Sequence, residues 1–194
     1  MATYDERTAL LVVDVQNDFA DPSGSLSVAG GEAIVPRVND EIAAARTAGA
    51  LVVYTQDWHP PVTPHFSKDG GIWPTHCVQA TWGARFHPRL EVDGEVVRKG
   101  ADGGDGYSGF SVRNPESGET SPTTLESLLR GRGIDRVVIC GLATDYCVVE
   151  TVLDARMLGF PVEVLAEAIR AVDLHPQDGV RAIARMRDAG AELV

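Results

Sequence analysis

The sequence predicts an α/β fold: a three-layer sandwich with a mainly parallel, roughly six-stranded sheet and helices on both faces. Short continuous apolar runs, of which residues 9–13 are the first, recur along the chain, as expected of strands covered on both faces. Stretches with helical spacing of apolar residues lie between them, and strands alternating with helices imply parallel pairing through crossovers. No internal repeat, low-complexity tract or linker divides the 194 residues. One domain spanning residues 1–194 is therefore expected, long enough to bury a substantial core.

Taken in order, residues 9–13 form the first strand. Ile34, Val35, Val38, Ile42 and Ala45 recur at helical spacing and Gly49 stops that helix. Residues 51–55 make the next strand. Residues 57–95 are rich in Pro, Gly, His and Trp and show little periodicity. An irregular stretch of that length inside a compact domain is usually functional or disordered; three tryptophans and four of the five histidines argue against disorder. Residues 96–99 read as a short strand and 100–109 as a glycine-rich loop. Ser121 and Pro122 read as a helix N-cap and first-turn proline, with Leu125, Leu128 and Leu129 on the buried side. Residues 136–141 form a strand, 144–158 a helix and 162–165 a strand. Residues 177–188 form a helix that ends at Gly190, and residues 191–194 close the sheet.

Composition narrows the function classes. Apolar residues make up 44% and charged residues 23%, both ordinary for a globular chain. The net charge of −11 argues against nucleic acid as the main partner, because phosphate binding needs a basic surface. No apolar run approaches the ~18 residues of a membrane span. Residues 1–8 are polar and do not resemble a secretory signal, so a cytoplasmic location is expected. Three cysteines, Cys77, Cys140 and Cys147, make an odd count that does not suit a disulfide framework.

Right-handed crossovers place the loops after the strands at one sheet edge, where α/β proteins build their sites. Asp14 ends the first strand, Lys99 ends the strand at 96–99, and Cys147 follows the strand at 136–141. Thr144 is a natural N-cap that puts Cys147 in the first turn of a helix, where free N–H groups favour a thiolate and can hold an oxyanion. The residues alone leave two readings of Cys147, a nucleophile and a buried packing residue. Cys140 lies inside a strand and reads as core; Cys77 is open. Asp14 suits a general base with a raised pKa or a turn cap, with Asp18 as a competitor in the same segment. Lys99 can position that carboxylate or stand in solvent.

Asp57 and His59 are two apart, so in extended backbone both side chains point the same way. His65 and His76 follow in the irregular segment. Three imidazoles and a carboxylate are ligands for Zn, Fe or Mn, although the spacing matches no zinc-finger pattern and surface histidines are the other reading. His87, before Pro88, reads as a polar loop residue with a structural hydrogen bond, and His175 as a loop histidine.

As an ordered set these residues become specific. The chain resembles the nicotinamidase (pyrazinamidase) branch of the isochorismatase-like cysteine hydrolases from about Ala9 to the C-terminus. The landmarks are Val-Asp-Val-Gln-Asn-Asp-Phe at 13–19, Thr-Gln-Asp-Trp-His at 55–59 and Trp-Pro-Thr-His-Cys-Val at 73–78. Phe-His-Pro at 86–88, Lys-Gly-Ala-Asp at 99–102, Tyr-Ser-Gly-Phe at 107–110 and Gly-Leu-Ala-Thr-Asp-Tyr-Cys-Val at 141–148 complete them.

The resemblance implies a catalytic triad of Asp14, Lys99 and Cys147. It implies one divalent metal ion on Asp57, His59, His65 and His76, within a metal-binding loop region at about 57–95. It also implies a cis peptide near Leu142–Ala143 and an oxyanion hole from the backbone N–H groups of Ala143 and Cys147. Phe19, Trp73 and Tyr107 match positions lining the substrate pocket, whereas Tyr146 matches a variable one. The implied reaction is hydrolysis of nicotinamide to nicotinate and ammonia through a cysteine thioester, in NAD salvage, with pyrazinamide a second substrate. The expected partner is that small molecule, with neither nucleic acid nor membrane, in a monomer or homodimer. Three other readings are a related cysteine amidohydrolase on another small amide or carbamoyl compound, a non-catalytic metal-binding or thiol-sensing protein, and a hydrolase using metal-bound water.

Overall fold

A computed structural model describes residues 2–194; Met1, the first residue of the expected domain, lies outside the described residues. The chain runs through β1 (Thr8–Val13), a short helical turn α1 (Asn17–Ala20), α2 (Val35–Thr47), β2 (Leu51–Asp57) and β3 (Glu95–Lys99). A small hairpin follows, β4 (Ser111–Arg113) and β5 (Thr120–Pro122), then α3 (Leu125–Gly131) and β6 (Arg136–Leu142). A π-helical turn, Thr144–Val148, runs directly into α4 (Val149–Met157), and β7 (Val162–Arg170), α5 (Asp178–Asp188) and β8 (Glu192–Leu193) complete the chain.

Six strands pair in the order β3-β2-β1-β6-β7-β8, all of them parallel. The alternation of β1 divides the core. Ala9, Leu11 and Val13 face one layer, where they pack with Leu125, Leu129, Val149, Val152, Ala182 and Met186 from α3, α4 and α5. Leu10 and Val12 face the other, with Val35, Val38, Ile42 and Ala45 of α2. All six residues of β1 are buried, as a central strand covered on both faces requires. The predicted three-layer architecture is therefore the observed one. Among the described residues, no helix is long and apolar enough to cross a membrane.

Three local expectations are corrected. Ser121 and Pro122 do not start a helix: they pair antiparallel with β4, Ser111 opposite Pro122, and proline is tolerated in such an edge strand. The helix begins at Leu125, whose N–H is taken by Thr123 Oγ1 at 3.1 Å. Thr144 is not an N-cap either. The cap position is Ala143, extended and without a side-chain cap, and Thr144 is the first residue of the π-turn. Strand β7 also runs five residues beyond the predicted 162–165, because Gly141 and Leu142 pair with Ile169 and Arg170 after a register shift.

Register sets the functional edge. Val13 lies opposite Thr55 and Gly141, and Asp57 lies opposite Lys99. Gly141 sits at φ 116°, and a Cβ there would overlap the carbonyl oxygen of Val13, so β6 approaches β1 more closely than a side chain permits. Gly141→Ala is expected to destabilise the fold by about 2 kcal/mol or more, since both φ and space are incompatible. Gly131→Ala, in a helix with nothing within 4 Å of the new methyl, should instead be neutral or stabilise by up to about 1 kcal/mol. Urea unfolding of the two variants checks the contrast.

Candidate active site

The three strand-end residues meet. Asp14 follows β1 in the left-handed region, at φ 47°, a conformation that aspartate tolerates. Thr55, brought alongside by the register, donates Oγ1–H to Asp14 Oδ1 at 2.6 Å and accepts the Asp14 N–H at 3.2 Å. Lys99 Nζ lies 2.7 Å from Asp14 Oδ2, and both side chains are fully buried. The same Nζ donates to the carbonyls of Gly106 and Tyr107 and lies 3.4 Å from Cys147 Sγ. Asp14 Oδ2 has no aligned hydrogen bond and is held by the ion pair to Lys99.

Burial shapes the electrostatics. It pushes the Asp14 carboxyl above the ordinary aspartate range, Lys99 opposing and Asp57 adding to the rise. Burial alone would depress the Lys99 ammonium; the charges of Asp14, Cys147 and Asp57 outweigh it and hold the ammonium above the usual lysine range. Lys99 is therefore held as the cation of the buried pair. Burial raises the Cys147 thiol well above its ordinary value, Lys99 opposing and Asp14 adding to the rise. Burial of the sulfur thus acts against the thiolate that a helix start favours.

Asp57, His59, His65 and His76 also converge. The ligand atoms of the three histidines lie within 4.8 Å of one another. His59 Nε2 and His76 Nε2 stand 3.0 and 3.3 Å from Asp57 Oδ2. His76 Nδ1 donates to Pro74 O at 2.7 Å, and His65 Nδ1 lies 2.6 Å from Asp105 Oδ1, so each ring keeps Nε2 for the cluster. Burial, with His59 nearby, brings the His65 imidazole down to about 4, so it is neutral at pH 7. Asp57 Oδ1 and His59 Nδ1 are buried without hydrogen-bond partners. Three imidazoles gathered around one carboxylate are the donor set of a divalent cation, and the chain fits one.

The irregular 57–95 segment is ordered by the strand ends. Gln16 ties the two regions together: its Nε2–H donates to Asp57 O at 2.8 Å and its Oε1 accepts the Asp57 N–H at 2.7 Å. His59 N–H donates to Cys77 O, and Gln79 N–H returns to His59 O. Asp18, a rival for the base role by sequence, instead accepts the Cys77 N–H at 2.7 Å and the Ser25 N–H at 3.0 Å, fixing the turn beside His76. Cys77 and Cys140 are buried in the α2-side core. His87 is buried and accepts the Arg89 N–H at 3.3 Å, while the His175 side chain is solvent-exposed; neither joins the site.

A small pocket opens onto Cys147. Phe19, Trp73, Tyr107 and Ala143 line it, and His65, His76 and Asp57 lie in the same wall. Trp73 Nε1–H donates to Tyr107 Oη at 2.7 Å. The Leu142–Ala143 peptide preceding the nucleophile turn is cis, as the resemblance implied. Five further residues contribute, among them Tyr146 at its variable position. Tyr146 lines the pocket, edge-on to Trp73 at a centroid distance of 4.9 Å. Val172 closes another side, held by Asp145, whose Oδ1 accepts the Val172 N–H at 2.9 Å. Thr55 and Asp105 orient Asp14 and His65. Tyr146 and Asp145 lay inside the recognised motif, but no local pattern marks Asp105 or Val172.

Known proteins share this arrangement of sequence and fold. A nicotinamidase/pyrazinamidase of Mycobacterium tuberculosis is 41% identical over 191 residues, covering 96% of this chain and 97% of that protein. The pyrazinamidase of Pyrococcus horikoshii in complex with zinc superposes with a TM-score of 0.86 at 42% identity, covering 97% of this chain and 98% of that one. PnC1 from L. infantum in complex with nicotinate gives a TM-score of 0.90 at 37% identity, covering 100% and 95%. The isochorismatase domain, as a sequence family, matches residues 8–194. Nearly the whole chain is thus accounted for by one family, and the protein belongs to the isochorismatase family.

Proposed function

We propose that the chain is a nicotinamidase, an amidohydrolase that converts nicotinamide to nicotinate and ammonia and also accepts pyrazinamide. One observation carries the reading. Cys147 Sγ, Lys99 and Asp14 form a continuous buried chain of contacts beneath an aromatic pocket that shares a wall with the histidine cluster. The relatives named for nicotinamide, pyrazinamide and nicotinate support the substrate class.

Asp14 takes the Cys147 proton, and the sulfur attacks the carboxamide carbon. The tetrahedral oxyanion is received by the backbone N–H groups of Ala143 and Cys147. Asp14 returns the proton to nitrogen, and ammonia leaves a thioester. Asp14 then deprotonates a water that attacks the thioester, and its proton restores the thiol. Lys99 stays charged throughout, holding Asp14 in place and stabilising the sulfur as it becomes anionic. Phe19, Trp73, Tyr107 and Tyr146 pack the ring and exclude bulk water. Asp57, His59, His65 and His76 would hold the cation, which when bound supplies a Lewis-acid contact for the pyridine nitrogen. That role orients the ring, and the nucleophile remains sulfur. The donor set suits Zn, Fe or Mn, and metal analysis of the purified protein identifies the ion.

Ammonia release from nicotinamide tests the reading. Cys147→Ala should lower kcat by about 10⁴-fold or more, as loss of a nucleophile does, and full activity in that variant would exclude the mechanism. Asp14→Asn keeps the shape but removes the base, and should cost about 10²–10⁴-fold in kcat. Chelation, or His59→Ala, should raise KM more than it lowers kcat, with metal content falling in parallel. Robust turnover confined to amides without a pyridine ring would sink the substrate assignment.

A further inference from the structure

We infer that Asp105 is a positioning residue for the metal centre, and that the β4–β5 hairpin is part of that centre's support. The inference rests on the proposed cation site and adds a residue to it. Asp105 Oδ1 lies 2.6 Å from His65 Nδ1, with side-chain exposures of 14% and 4%. A carboxylate only accepts, so Nδ1 carries the proton and the tautomer is fixed. Nε2 is then left as the ring's lone-pair donor, in the cluster where one ligand atom from each of His59, His65 and His76 lies within 4.8 Å of the others. A carboxylate behind a metal-bound imidazole orients the ring and raises its basicity as a ligand.

The backbone shows that this placement is built. Asp105 N–H donates to Arg113 O at 2.7 Å, and Arg113 N–H donates to Asp105 O at 3.1 Å, so the loop residue is clipped to the end of β4. At the other end of β4, Ser111 Oγ–H donates to Asp154 Oδ2 of α4 at 2.7 Å, the helix that continues the Cys147 turn. Beyond the hairpin, Thr123 Oγ1–H donates to Gly109 O at 2.6 Å, pinning the same loop a second time. On the metal side, Thr63 Oγ1–H donates to Gly103 O at 2.7 Å and accepts the His65 N–H at 3.2 Å. His65 is thus held through its ring by Asp105 and through its backbone by Thr63, both referred to the 100–109 loop.

Equilibrium zinc binding tests this without reference to turnover. Metal-stripped full-length protein competes for Zn²⁺ with a chromogenic chelator. The wild type should bind one ion per chain. Asp105→Asn and Asp105→Ala should keep that stoichiometry with affinity about 10–100-fold weaker, the alanine variant at least as weak as the asparagine one. Bound Co²⁺ should show altered visible absorption in both variants, which a merely structural role would not produce. Asp105→Asn preserves the side-chain shape, so the test survives if the alanine variant fails to fold. Zinc affinity within twofold of wild type in Asp105→Asn would overturn the inference and leave the metal centre standing, even if the metal-free variant melts lower. Failure of the wild type itself to bind zinc would remove the metal centre and the inference with it.

Discussion

The buried pair of Lys99 and Asp14 is the constraint on which the site depends. Two charges removed from water are tolerated only if their remaining donors and acceptors are met, and removing one partner typically costs about 3–5 kcal/mol. Here the requirement is met by Thr55 on the carboxylate and by the carbonyls of Gly106 and Tyr107 on the ammonium. That demand brings the 100–109 loop back over the strand ends. A Cβ on Gly106 would meet Asp57 Oδ1 at 2.8 Å, so only glycine lets the carbonyl reach Lys99 while Asp57 stays beside it. Tyr107 follows directly and becomes a wall of the pocket. The loop that satisfies the lysine thereby also shapes the substrate site.

The same desolvation decides the chemistry. A helix start on the surface would make Cys147 more acidic, but at the floor of a narrow pocket the side chain is buried, and that burial raises the thiol. An exposed aspartate would then be a poor base for it. Burial raises Asp14 as well, which makes it a stronger base than an exposed aspartate. Lys99, 3.4 Å from the sulfur, stabilises the anion that the transfer creates. Enclosure that looks unfavourable for each group alone is therefore consistent with proton transfer between them.

The sheet was legible because its strands are continuous apolar runs, and β1, β2 and β6 lie within two residues of their sequence-based bounds. The β4–β5 hairpin was not. Its strands have three residues each, all exposed in β5, so there is no buried face to leave an alternating pattern, and Ser-Pro imitated a helix start. Residues 14, 99 and 147 could be placed at one sheet edge by topology, but nothing in their local sequence said that they touch. The resemblance supplied that grouping. Val172 and Asp105 act through tertiary contacts alone, and a polar residue in a glycine-rich loop carries no signal of the histidine forty residues upstream that it orients.

Strand β2 couples the two halves of the site. Thr55 and Asp57 are two residues apart and so project from the same face of the strand. The first holds the carboxylate of Asp14; the second is the carboxylate around which the histidines gather. Their partners are fixed by register on either side, Val13 opposite Thr55 and Lys99 opposite Asp57. A slip of one residue would turn both side chains to the opposite face and dismantle both clusters together. Tyr54, buried on the α2 side, would have to turn with them, so the alternation that packs the core also protects the site. The pairing that buries β2 is therefore what holds the nucleophile's base and the cation's carboxylate at a set separation, with Lys99 between them.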